Sequence, residues 1–148
     1  MAITETDISF LIYQRLKDND SIWAMVNPRI RPDTIDPNEV MPAIRYEVVR
    51  SRPWHSISTE PSETTTQLQI DCYGATRLEA NTVAAAVVNN LDGFTGELGE
   101  IFVNDCVLDN TYDRVDPPPA GGKNFRKRRT LDFVITHTSP TPTLNQRD

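Results

Sequence analysis

The feature that most constrains the fold is an alternating strand followed almost at once by an amphipathic helix. Apolar and polar residues alternate over Thr65–Tyr73, which predicts a strand with one face in a core. Apolar residues then recur at helical spacing over Thr76–Leu91, where Thr76 can act as N-cap and Glu79 is placed for a capping box. Gly93 ends this helix. Because the apolar side of the helix is rich in alanine, the helix can lie close against a sheet.

The other segments complete an order of helix, strands, helix and strands. A helix, a short helical turn and four strand segments are predicted at Thr6–Asp18, Ser21–Val26, Arg29–Ile35, Ala43–Val49, Ile101–Val115 and Arg126–His137. The segment Ile101–Val115 is predicted to form one strand or a pair of strands, with a kink near Asp109. Prolines confine the first of these strands to a sheet edge. This order predicts an α+β fold, in which two main helices pack on one face of a small antiparallel sheet, or of a mixed one.

The alternation also predicts which strand residues point into the core. The residues expected to face inward are Leu68, Ile70, Cys72, Leu131, Phe133 and Ile135. The residues expected to face outward are Gln67, Gln69, Asp71, Thr130, Asp132, Val134 and Thr136. Between the two central strands lies the polar segment Ser51–Glu63, which is too long for a tight hairpin turn. Loops of this length inside a small domain usually contact something, so we expect a contact site here.

The length of 148 residues fits one domain. Folding at this length hides roughly 70% of the extended chain's surface, enough for a core without metal or disulfide support. We expect residues 1–137 to form a single α+β domain and residues 138–148 an extended C-terminal tail. No apolar run approaches the roughly 20 residues of a membrane helix, and the first residues lack the basic region of a signal peptide. The sequence therefore predicts a chain that stays in the cytosol or in a particle assembled there.

Charge is unevenly distributed along the chain. There are 15 basic and 21 acidic residues, a net charge of −6, and the segment Lys123–Arg129 (KNFRKRR) holds five of the basic ones. The overall acidity argues against a general nucleic-acid binder. The basic cluster has three interpretations: docking onto an acidic protein surface such as a second copy of the chain, a nucleic-acid patch, or a solvated strand end.

No pattern in the sequence outlines a catalytic or metal site. The two histidines, His55 and His137, are far apart and lack the spacing of a metal pair. The segment Gly121–Lys123 lacks the other residues of a phosphate-binding loop. Cys72 and Cys106 are too few for a disulfide framework, lie in strand-like runs and are expected to be buried free thiols. We therefore expect no enzyme, no cofactor and no metal.

Particular stretches do resemble a known family, the tail-completion or tail-to-head joining proteins of long-tailed bacteriophages, also called tail terminators. That family has a proline-marked strand of the type P-x-I-x-Y, matched here by Pro42, Ile44 and Tyr46. A strand of the type Q-x-D-x-Y/W follows, matched by Gln69, Asp71 and Tyr73. A helix rich in alanine and valine that ends near L-D-G completes the resemblance, which extends over roughly Thr6–Thr138.

The resemblance implies a structural, non-enzymatic virion protein with a tail-terminator-like fold. Such a protein is expected to form a homo-oligomer, a hexameric ring, at the head-proximal end of the tail tube. The ring would stop tube growth and join the tube to the head connector, and DNA would pass through its lumen without specific binding. This places the chain in the neck of the virion, assembled in the host cytoplasm. The alternatives are a head-closure protein, a minor tail or neck adaptor, or a nucleic-acid-binding accessory protein that uses Lys123–Arg129.

Two loops and the basic cluster are the parts expected to contact partners. By position, the segments Arg52–Glu63 and Pro117–Lys123 would meet the tube or the connector. The expected interface residues are Arg52, Trp54, His55, Lys123, Arg126, Lys127, Arg128 and Arg129.

Overall fold

Polar N-caps begin each helix of the computed structural model, which describes residues 7–54, 63–118 and 125–138. The helices are α1 (Ile8–Lys17), α2 (Asp20–Val26) and α3 (Arg77–Leu91). Carboxylate, amide and hydroxyl oxygens of Asp7, Asn19 and Thr76 accept hydrogen bonds from backbone N–H groups of the respective first turns. In the helix predicted over Thr76–Leu91, the Glu79 side chain accepts a hydrogen bond of 2.7 Å from the backbone N–H of Ala75, so both sides of the cap are satisfied.

Six strands form one curled sheet. They are β1 (Ile30–Pro32), β2 (Ala43–Trp54), β3 (Glu63–Gly74), β4 (Gly96–Leu98), β5 (Ile101–Asp116) and β6 (Arg126–Thr138). The spatial order is β1-β2-β3-β6-β5-β4, with β1 parallel to β2 and every other neighbouring pair antiparallel. The mixed α+β class agrees with the prediction, and the proline-containing strand β1 does lie at a sheet edge.

The strands differ from the sequence expectation mainly in length. The strands β2 and β3 continue past the predicted ends, so the connection between them is residues 55–62 rather than Ser51–Glu63. The strand β5 is continuous, with register shifts between Val103 and Asp105 and between Leu108 and Asn110. The second shift accounts for the irregularity that the sequence suggests near Asp109. Thr138 is the last residue of β6, and the rest of the predicted tail lies outside the described residues.

One hydrophobic core joins the helices to one face of the sheet. The inward residues predicted for β3 and β6 are all buried in it, together with residues of all three helices. The expectation of two main helices is incomplete, because α2 also contributes Ile22 and Val26, which are fully buried. Nothing in the described helices is long and apolar enough to cross a membrane.

The opposite face of the sheet, which we call the polar face, carries Arg45, Asp71, Thr130 and Tyr112 side by side in one row across β2, β3, β6 and β5. Alternation predicts that Asp71 and Thr130 face outward, and they do point away from the helices. They are nevertheless buried, with relative exposures of 0% and 1%. Long side chains on the neighbouring strands cover them. The alternation within one segment does not predict this cover, because it depends on which strands are neighbours.

Candidate partner interface

The basic cluster lies at the start of β6, where side chains alternate between the two faces of the sheet. Arg126 and Arg128 are on the polar face, and Lys127 and Arg129 are on the helix-covered face. All four side chains are half-buried rather than freely exposed. Lys123, the remaining interface residue predicted in this cluster, lies outside the described residues.

Arg128 takes part in a buried charge network centred on Asp71. Its guanidinium lies 3.4 Å from Asp71 and 3.0 Å from Asp116. The carboxylate of Asp71 also accepts hydrogen bonds from Arg45 Nε at 2.9 Å and from Thr130 Oγ1 at 2.6 Å. Burial lowers the pKa of Arg128, but the neighbouring Tyr73, Asp71 and Asp116 outweigh it and leave the pKa raised. Arg128 is therefore held in its charged form by its own chain.

Arg129 is paired on the other face. Its Nε and Nη2 donate hydrogen bonds of 2.8 and 3.1 Å to the two carboxylate oxygens of Asp113. These hydrogen bonds lower the pKa of Asp113. Arg77, at the first position of α3, lies 3.4 Å from the same carboxylate and donates to the backbone carbonyls of Arg128 and Arg114 at 3.2 and 3.1 Å. This pairing ties the start of α3 to strands β5 and β6.

Arg126 and Arg128 also cover an aromatic ring. Their guanidinium carbons lie 5.4 and 5.7 Å from the centroid of the Tyr73 ring, and Tyr73 is only 3% exposed. Arg126 further donates a hydrogen bond of 3.3 Å to the backbone carbonyl of Asp36. Lys127 makes no ion pair with any residue that the structure describes. Of the four cations of the cluster that the structure describes, the three arginines are thus engaged within the chain.

Arg52, the interface residue predicted on β2, is exposed on the polar face beside a second exposed arginine, Arg50. Both line a shallow depression of about 390 Å³ together with Thr65, Gln67 and Val134. Neither arginine forms an ion pair within the described part of the chain. The sequence alone does not predict the position of Arg50, because the register shift between Val48 and Arg50 is what turns both arginines to the polar face.

The predicted contact loops fall largely outside what the structure describes. Trp54 is the last residue of β2, and His55 lies in the segment 55–62, outside the described residues. The second loop is described only at Pro117 and Pro118. The structure therefore brings Arg126, Lys127, Arg128 and Arg129 together and sets Arg52 apart from them on a different strand.

The reactive side chains of the described residues are buried and dispersed. Burial raises the pKa of the Cys72 thiol strongly and that of Cys106 to about 12, so both thiols stay protonated. His137 is 5% exposed, and its Nε2 lies 2.9 Å from Thr66 Oγ1. No group of three or more histidine, cysteine, aspartate or glutamate residues that could hold a metal ion occurs in the described ranges.

Comparison with known proteins identifies the family. Residues 11–136 match the family described as "Tail completion protein gp17". The chain belongs to this family. It is accordingly a structural protein of a phage tail. A chain from the structure "Virion of native gene transfer agent (GTA) particle" has the same fold, with a TM-score of 0.63 and 17% identity over 86% of this chain and 92% of that one. No functionally curated protein matches the sequence.

The two strand patterns through which the sequence resembles tail completion proteins serve opposite faces of the sheet. Ile44 and Tyr46 point toward the helices, where the Tyr46 ring stacks on Tyr13 at a centroid distance of 5.9 Å. Asp71 and Tyr73 point to the polar face, where Asp71 is the centre of the charge network. In this tail completion protein, one pattern therefore builds the apolar core and the other builds a small buried polar layer behind it.

Proposed function

We propose that the protein forms a ring at the head-proximal end of the tail tube, where it ends tube growth and joins the tail to the head connector. DNA passes through the lumen of this ring without specific binding. The proposal is carried by one observation, the match to the tail completion family over residues 11–136, which includes β1 to β5, most of β6 and nearly all of the described chain. We further propose that the ring is hexameric and that the role is structural rather than catalytic.

The open edges of the sheet support an assembly of neighbouring copies. Both outermost strands, β1 and β4, have only three residues each, whereas the strands that they cover have 12 and 16. Much of the outer side of β2 and β5 therefore has no strand beside it within the described residues. Such edges are a liability in a monomer and are usually covered in the functional state.

Removing the gene from the phage that carries it tests this function. We expect overlong tail tubes that carry no heads, together with filled heads that carry no tails, and we expect expression of the intact gene to restore whole virions. Electron microscopy of purified lysates measures both tube length and head attachment. Tails of normal length in the deletion lysate would contradict the terminator role.

The same images separate the closest alternative. A head-closure protein or a neck adaptor acts on the head side, so its loss leaves tube length unchanged while heads fail to attach or lose DNA. Binding assays with isolated tubes and isolated heads give a second distinction, because a terminator binds the end of the tube and a head-closure protein binds the connector alone.

A nucleic-acid-binding accessory role for Lys123–Arg129 is less well supported. Arg128 and Arg129 are engaged by Asp71, Asp116 and Asp113, so the positive charge available to phosphates is reduced. That alternative requires a measurable affinity for DNA that falls steeply with salt. Fluorescence anisotropy with a labelled duplex over a range of salt concentrations measures it.

A further inference from the structure

One lateral edge of the sheet carries uncompensated positive charge. The strand β2 pairs with β1 only at Ile44–Tyr46, and its outer side from Glu47 to Trp54 faces no other described strand. Arg50 and Arg52 project from this stretch on the polar face, and both are exposed. Val48 and Val49, which are 37% and 49% exposed, add apolar surface at the same edge.

The opposite lateral edge carries uncompensated negative charge. Glu97 on β4 and Asp105 and Asp109 on β5 are exposed, and none forms an ion pair with a cationic side chain in the described ranges. Burial, and after it the charge of Asp109, raises the pKa of the nearby Asp132. The negative potential at this edge therefore reaches the neighbouring strand.

The register of the sheet places opposite charges at the two ends of one cross-strand row. One cross-strand row on the polar face runs from Arg52 through Thr65 and Thr136 to Asp105. The next row begins at Arg50 and passes through Gln67 and Val134 to Val107. The anionic end of such a row in one copy can meet the cationic end of the same row in the next copy, so the contact can repeat between copies in the same orientation.

We propose that copies of this chain associate side by side through opposite sheet edges, with Arg50 and Arg52 of one copy against Glu97 and Asp105 of the next. The contact is heterologous, as a closed ring requires, because two different surfaces of the chain meet. This proposal rests on the proposed function, because the edge contact is the one that would build the proposed ring. Neighbours related by rotation present the same face of the sheet on the same side, so Arg52 and Asp105 come to the same face.

Side chains rather than a continuous backbone ladder carry this contact. At the edge of β5, the carbonyl of Cys106 already accepts a hydrogen bond of 2.7 Å from the backbone N–H of Gly93. The backbone N–H of Leu108 donates one of 2.9 Å to Asp92 Oδ1. These bonds occupy the backbone groups that a neighbouring strand would need. Because exposed ion pairs are screened by salt, the association is expected to weaken as ionic strength rises.

Charge reversal at each edge tests the contact. The variant Arg50→Glu/Arg52→Glu has two acidic edges, and the variant Glu97→Lys/Asp105→Lys has two basic edges. We expect each variant alone to associate about tenfold or more weakly than the natural chain. An equimolar mixture of the two should associate again, because each acidic edge then meets a basic one. Native mass spectrometry and sedimentation velocity at low salt measure both effects, and the masses in the mixture should show alternating copies.

Matched controls separate this result from misfolding and from general charge effects. Lys17→Glu changes an exposed charge on α1, which belongs to neither sheet edge, and should associate like the natural chain. Circular dichroism and thermal unfolding should show that all four edge positions, which are exposed, tolerate the substitutions.

These experiments test the edge contact, and a separate experiment tests the proposed function. Normal association of both variants, no restored association in the mixture, or a natural chain that stays monomeric at low salt would each overturn the edge contact. Binding to isolated tail tubes, imaged by electron microscopy, tests the function separately. Tube-end binding by the variants would leave the function standing without this contact, whereas charge-dependent association without tube binding would leave the contact standing without the function.

Discussion

The hydroxyl of Thr130 donates a hydrogen bond of 2.6 Å to the carboxylate of Asp71, a fully buried group on the sheet face turned away from the helices. Arg45 and Arg128 approach the same carboxylate from either side. A buried anion of this kind is tolerated because hydrogen bonds and opposite charges replace its hydration. The part of the polar face around Asp71 and Thr130 is therefore a buried, stabilising layer of this tail completion protein.

Replacing Asp71 by asparagine should destabilise the fold. The substitution keeps the size of the side chain but leaves Arg45 and Arg128 without their shared anion. Removing one partner of a buried ion pair typically costs about 3 kcal/mol or more. Urea unfolding followed by circular dichroism measures the change. The matched control is Glu47→Gln, which removes the more exposed carboxylate that pairs with Arg45 and should cost less than about 1 kcal/mol. Equal effects of the two variants would contradict a special role for Asp71.

Charge reversals within the basic cluster should separate into two classes. Arg128→Glu places a carboxylate beside Asp71 and should lower the free energy of unfolding by about 3 kcal/mol or more. Lys127→Glu removes no ion pair within the described residues and should change it by less than about 0.5 kcal/mol. Thermal unfolding of both variants measures the difference. Reversing the whole cluster at once would confuse lost docking with lost folding, so Lys127 is the position at which to test docking. Equal stability of the two variants would contradict the network.

Gly74, the last residue of β3 before α3, should not tolerate a methyl group. A Cβ atom at this position would lie 2.5 Å from the backbone nitrogen of Ala80 and 2.9 Å from the carbonyl oxygen of Thr76. Because both are backbone atoms, the helix itself would have to move. We expect Gly74→Ala to lower the free energy of unfolding by about 2 kcal/mol, measured by urea unfolding. The control variant Ala75→Ser, at the exposed next position, should leave the free energy of unfolding almost unchanged. An equally small effect of Gly74→Ala would contradict the close packing at this junction.

The buried imidazole of His137 predicts a loss of stability in mild acid. Burial lowers its pKa in the folded state, and Nδ1 has no hydrogen-bond partner among the described residues. The unfolded chain, with an ordinary histidine pKa of about 6.5, binds a proton more readily. The stabilisation is therefore complete above about pH 6.5 and declines as the pH falls below that value.

Substitution of the histidine tests this pH dependence. The free energy of unfolding, measured by urea titration between about pH 7.5 and pH 5.5, should fall less steeply for His137→Gln than for the natural chain. His55→Gln removes the other imidazole and serves as the matched control. The prediction fails if His137→Gln keeps the full slope.

The elements were predictable because the interactions that specify them are local. The N-cap at Thr76 and the alternation over β3 and β6 are properties of short segments, and the structure confirms them. The family was likewise recognisable from strand patterns and confirmed over residues 11–136.

The polar interactions were not predictable, because they depend on register between distant segments. Asp71 meets Thr130 only because β3 pairs with β6, which is 59 residues further along the chain. From the sequence alone, Asp71 is expected to face solvent, and Arg128 is expected to be free to bind a partner. The edge arginine Arg50 escaped notice for the same reason, since a bulge decides its face.

The two faces of β3 lie in opposite environments, one apolar and one charged, and this limits how the strand can move. Ile70 faces aliphatic side chains, while its neighbour Asp71 faces guanidinium groups. Sliding β3 by a single residue would exchange these environments, placing a carboxylate in the hydrocarbon interior and an isoleucine among cations. The central strands are thereby locked against slippage. When the protein assembles with other structural proteins of the virion, its sheet is therefore expected to move as one rigid unit, because no strand can shift its register alone.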